Sequence, residues 1–154
     1  MTAHSYLQRF GEVELAVRRQ GEGMPFVWGH SLMGSMQVED RAGLWQWGAL
    51  ERHAQVVRYD ARGHGNSDGS YDPRDYRWER MAADMLAVGS SVAAASGYAR
   101  CLLGGISMGA ATALHAAVQQ PGQVAGLVLV LPPTAWETRP RQSAIYRRLA
   151  WVSG

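Results

Sequence analysis

A serine stands between two glycines at Gly105-Ile106-Ser107-Met108-Gly109, and of all the groups in this 154-residue sequence it is the best placed for covalent chemistry. An apolar run, Cys101 to Ile106, leads into it, and a small-residue segment, Met108 to Gln120, leads away. That order predicts a buried strand, a sharp turn and a helix, with the Ser107 hydroxyl exposed at the turn. Such a turn crowds the backbone, which is why Gly105 and Gly109 flank it at two positions on each side. The helix starts at the turn, so its positive end faces Ser107, and the Met108 N–H is free to donate to an oxyanion. Ser107 is therefore the candidate nucleophile. The alternative is a glycine-rich turn carrying an incidental serine.

Two further loops follow apolar runs. Gly29-His30-Ser31-Leu32-Met33-Gly34-Ser35 is expected to supply a second oxyanion donor, the Leu32 N–H, with His30 shaping the loop through side-chain hydrogen bonds. Asp60-Ala61-Arg62-Gly63-His64-Gly65-Asn66-Ser67 reads as a structural loop. In it Asp60 and Arg62 are expected to pair, and Gly63 and Gly65 to take backbone angles that other residues avoid. His64 sits in this rigid turn and is read as structural. His115 lies eight residues beyond Ser107, about two helical turns and roughly 12 Å along the axis, which makes it a poor base. His4 and His53 lie in unpromising positions, and Cys101 reads as a core residue. No histidine–cysteine pattern has metal-ligand spacing, and no glycine loop ends in lysine, so neither a metal nor another cofactor is expected.

The elements needed to position these loops can be read along the chain. Ser5 to Phe10 and Val13 to Arg18 read as a hairpin. Strands follow at Pro25 to Trp28, Ala54 to Tyr59, Cys101 to Ile106 and Ala125 to Leu131. Helices are expected at Arg41 to His53, Arg77 to Ala95, Met108 to Gln120 and Arg139 to Val152. The third of these stops at Pro121-Gly122. Strands alternating with helices after an opening hairpin give an α/β layer architecture with a mostly parallel sheet and helices on both faces. In such sheets, sites form at the carboxyl ends of the strands, where all three loops fall.

Composition excludes several classes. Nearly half the residues are apolar (47%) and 18% are charged, which is a globular balance. No run of about eighteen apolar residues offers a membrane span, and the first twenty residues lack a signal-peptide core. All fifteen basic residues are arginine, and the net charge of +2 comes without a basic block, so nucleic acid is not the expected partner. The single cysteine fits a cytoplasmic protein.

Together, G-H-S-L-M-G-S at 29–35, Y-D-A-R-G-H-G-N-S at 59–67 and G-G-I-S-M-G at 104–109 resemble the α/β-hydrolase superfamily. The match is most like its cofactor-free esterase, enol-lactonase and perhydrolase-type branch, and it runs from about Val13 to Arg148. Ser31 departs from the glycine usual after that histidine. The resemblance implies a serine hydrolase acting on a carboxylic ester, lactone or similar acyl substrate. Ser107 would be activated by a histidine that an acid orients, both following it in the chain. After Ser107 the only histidine is His115 and the only acid is Glu137, and neither is a good match. The resemblance further implies that residues 1–135 are the N-terminal part of the hydrolase core, about six of eight strands, and that 136–154 begin a lid.

Two consequences are expected. The chain by itself has little or no activity. The strand Ala125 to Leu131, central in a complete sheet, lies here at an open edge that invites self-association or pairing with a partner chain. Trp136 and Tyr146 are candidates to line an acyl pocket. A binding or sensory module without turnover is the competing reading, with an interaction role through the open edge as a third.

Overall fold

The computed structural model describes residues 5–133 and 139–152. Its strands are β1 (Ser5–Phe10), β2 (Val13–Gln20), β3 (Pro25–Gly29), β4 (Gln55–Tyr59), β5 (Cys101–Ile106) and β6 (Val124–Val130). Its helices are α1 (Met36–Ala42), α2 (Trp47–Leu50), α3 (Trp78–Ala95), α4 (Met108–Gln119) and α5 (Arg139–Val152). The strands form one sheet in the order β1-β2-β4-β3-β5-β6. The opening hairpin and the β2–β4 pair are antiparallel, and β4, β3, β5 and β6 run parallel. This is the expected α/β-hydrolase-like architecture, with six strands among the described residues.

Alternation along the strands sorts the core onto two faces. Val27 of β3, Val57 of β4 and Leu103 of β5 join Met81, Met85, Val88 and Val92 of α3 and Ala113 and Ala116 of α4 in the main cluster. Phe26 and Trp28 point to the opposite face, with Trp45, Trp47, Leu102, Ile106 and Val130 packed around them. Trp28 meets Trp45 and Trp47 edge-on, at centroid distances of 4.8 and 5.5 Å.

The helix expected over Arg41–His53 is not formed. Instead α1 starts earlier, where the Ser35 hydroxyl caps the Val38 N–H at 3.1 Å. It ends at Gly43, whose φ of 61° is left-handed and whose N–H bonds the Asp40 carbonyl. Trp45 and Trp47 are apolar because they roof Trp28, Leu44 is exposed, and only the short α2 is helical there. β6 spans Val124–Val130, one residue earlier than read from the sequence, and it is an edge strand. Leu127 and Val128 on it are 38% and 46% exposed. None of the described helices is long and apolar enough to cross a membrane.

Candidate active site

The site is assembled at the carboxyl ends of β3, β4 and β5. Ser107 joins β5 to α4 with φ 52° and ψ −108°. A non-glycine residue in that region costs about 1–3 kcal/mol, which the surroundings must impose. They do so through backbone contact. A Cβ on Gly105 would lie 2.6 Å from the Gly109 carbonyl oxygen, and one on Gly29 would lie 2.9 Å from the Gly109 Cα. A Cβ on Gly109 would strike the Gly29 carbonyl. Three glycines thus let the end of β3, the end of β5 and the start of α4 touch. Two hydrogen bonds hold the turn: the Ser107 N–H donates to the Val130 carbonyl and the Gly109 N–H to the His30 carbonyl, both at 3.0 Å.

The remaining donors at the turn stay free. Among the described residues, neither the Met108 N–H nor the Leu32 N–H has a hydrogen-bond partner, and neither does the Ser107 hydroxyl. The Leu32 loop is folded tightly, with the Gly34 N–H on the Ser31 carbonyl at 2.9 Å and Met33 at a φ of 64°.

His30 is fully buried and bridges two loops. Its Nε2 accepts from the Ala61 N–H at 2.9 Å, so the proton resides on Nδ1, which lies 2.8 Å from the Ser31 carbonyl oxygen. Burial, the largest influence, lowers its pKa and keeps the ring neutral. His30 thus ties the loop after β3 to the loop after β4.

The Asp60–Arg62 pair expected from the sequence does not form. Asp60 is buried, and its carboxylate accepts from the Met36 N–H at 2.7 Å and the Asn66 N–H at 3.0 Å. Arg62 instead makes a two-pronged bond to Asp84 of α3, at 2.6 and 2.7 Å. The guanidinium fork matches a carboxylate face, whereas the Asp60 oxygens are already taken by backbone donors. Both residues still shape the loop, through different partners. Gly63 and Gly65 have the positive φ expected, 72° and 52°.

A cavity of about 210 Å³ opens over Ser107, lined by Leu32, His64, Trp78, Met108, Arg139 and Tyr146 among others. Three of these carry no weight in the sequence reading. His64 reaches the cavity, with its Nδ1 2.9 Å from the Arg62 carbonyl oxygen. A carbonyl, unlike a carboxylate, supplies no charge to stabilise an imidazolium there. Trp78 and Arg139 also line it. The loops were legible by motif, but the approach of α3 and α5 to the cavity has no local signal. His115 is stacked on Trp78, with centroids 5.7 Å apart, and serves as packing. Cys101 is buried in β5, and burial pushes its thiol up to about 11. His4, Trp136, Glu137 and the expected 135/136 boundary lie outside the described residues. No group of three or more metal-ligating side chains exists among the described residues.

Comparison with known proteins agrees with this geometry. The family model described as serine aminopeptidase, S33, matches residues 50–154. RutD of Klebsiella pneumoniae (strain 342), provisionally assigned as a carbamate hydrolase, is 39% identical over 90 residues, covering 57% of this chain and 32% of its own. A hydrolase from Pseudomonas aeruginosa superimposes with a TM-score of 0.73 at 26% identity, covering 94% of this chain and 52% of that one. An N-acyl homoserine lactonase solved with N-hexanoyl homoserine gives 0.68 at 25% identity, covering 86% and 46%. The chain spans 32% to 42% of the length of the curated relatives it matches. The matched family model, the sheet order and the turn at Ser107 lead to one assignment: the chain belongs to the α/β-hydrolase superfamily, in the serine aminopeptidase S33 family.

Proposed function

We propose that this chain carries the nucleophile and oxyanion hole of a cytoplasmic serine hydrolase acting on a carboxylic ester, lactone or related acyl substrate. Ser107 Oγ attacks the carbonyl carbon. The Leu32 and Met108 N–H groups receive the developing oxyanion, and the alcohol leaves. Water then cleaves the acyl-enzyme. The observation that carries this reading is the strained Ser107 turn, open to a cavity, with the Met108 and Leu32 N–H groups without a partner among the described residues. The RutD relatives and the lactonase neighbour support an acyl carbon as the target, since carbamate and lactone both present one.

Among the described residues no acid-oriented histidine stands beside Ser107. Losing a triad member costs several orders of magnitude, so the 154-residue chain turns over esters slowly. The test is covalent capture. Incubated with p-nitrophenyl butyrate at mildly alkaline pH, the chain should gain one butyryl group on the Ser107 peptide, and Ser107→Ala should gain none. An adduct on another residue, or fast turnover that survives Ser107→Ala, would overturn the assignment.

A further inference from the structure

Among the described residues, the cavity over Ser107 has an apolar body and one formal charge. Leu32, Trp78, Met81, Met108 and Pro133 supply hydrocarbon, whereas Arg139 is the only permanently charged lining residue among those described. The Arg139 guanidinium carbon lies 5.8 Å from the centre of the Trp78 ring, and His115 stacks on that ring at an interplanar angle of 12°. A guanidinium over an aromatic face keeps N–H groups free to donate to a ligand.

Backbone dipoles add to the charge. Arg139 is the first residue of the 14-residue α5, and Met108 the first residue of the 12-residue α4. The start of α4 thus places its positive end at the cavity, and α5 lines the cavity with both Arg139 and Tyr146. Among the described residues no carboxylate lines it, and Arg139 makes no ion pair. An apolar chamber with a guanidinium in its wall suits a ligand that is apolar along its length and anionic at one end.

We infer that Arg139 forms a carboxylate-binding subsite beside Ser107, selecting acyl substrates or products that carry a carboxylate group. This narrows the substrate class of the serine hydrolase proposed above and rests on that reading only for the word substrate. The pairing itself is a binding property.

The test compares two ligands of nearly equal shape, hexanoate and hexanamide, titrated near neutral pH into the full chain and followed by calorimetry. Hexanoate should bind at least about tenfold more tightly, the size of effect expected for one charge-assisted contact in a partly desolvated pocket. Arg139→Gln should remove that preference, and Arg139→Lys should retain part of it, with unchanged circular dichroism in both. Equal dissociation constants in the parent chain, no measurable binding of either ligand, or a preference that survives Arg139→Gln would each overturn the inference. The titration needs no acyl transfer. Failure to acylate Ser107 would leave the subsite standing, and equal binding would leave the nucleophile assignment standing.

Discussion

The Ser107 turn and strand β6 are joined by a hydrogen bond from the Ser107 N–H to the Val130 carbonyl at 3.0 Å, yet they are built in opposite ways. Around Ser107 every approach is pinned. Gly29, Gly105 and Gly109 bring three backbones into contact, His30 ties two loops together, and Arg62 and Asp84 close the loop onto α3. Along β6 little is pinned. One side pairs with β5, the other is the sheet edge, and Leu127 and Val128 are half-exposed. The contrast teaches that the Ser107 turn is determined by residues within this chain, whereas the outer strand has a sheet partner on one side only among the described residues.

The contrast can be broken most severely at the buried ion pair. Asp84→Ala leaves the Arg62 charge buried without its partner and should cost about 3–5 kcal/mol in urea unfolding. A loss below about 1 kcal/mol would mean that the loop is held elsewhere. Next come the glycines. Gly105→Ala should cost about 1–3 kcal/mol, because the new methyl meets the backbone of Gly109. Gly126→Ala on β6 meets only the Leu102 Cδ2, at 3.2 Å, and should change stability by no more than about 0.5 kcal/mol. Equal costs at the two positions would erase the distinction.

A smaller effect should follow pH. Burial lowers the pKa of His30 below its ordinary value of 6.5, so the unfolded chain accepts a proton that the folded chain resists. Its contribution is complete above 6.5 and is lost as pH falls through the lowered folded value. Protonating Nε2 also removes the acceptor for the Ala61 N–H. The parent chain should therefore lose more melting temperature between about pH 7.5 and 5 than His30→Gln does. Parallel losses would remove His30 from the account. The smallest effect on stability lies at the edge. Replacing Leu127 and Val128 together by threonine should cost under about 1 kcal/mol. We propose that the β6 edge pairs with a second copy of this chain, so that in sedimentation velocity the parent should show associated species and the same change should shift them toward monomer. Unchanged association would exclude β6 as the pairing surface.

Much of this arrangement was legible in the sequence because its causes are local. The apolar runs at Cys101–Ile106 and Pro25–Gly29 form strands, and glycine flanks the serine at the spacing that a crowded turn demands. What escaped was decided across the chain. Trp45 and Trp47 mimic helical spacing but are apolar in order to cover Trp28. Arg62 sits two positions from Asp60, but its partner is 22 residues away on α3. Arg139 lines the same cavity as Ser107, 32 residues away in the sequence, and no nearby residue announces that meeting.

The pH dependence of acylation tests most directly the proposal that Ser107 is a nucleophile without a histidine base among the described residues. The rate of butyrylation by p-nitrophenyl butyrate, followed by intact mass from about pH 6 to 9.5, should rise about tenfold per pH unit without a plateau, as expected when hydroxide alone removes the proton. It should vanish in Ser107→Ala. A plateau with a midpoint near neutral pH, lost in His64→Gln, would show a working base in the cavity. Acylation that persists in Ser107→Ala would contradict the nucleophile assignment itself.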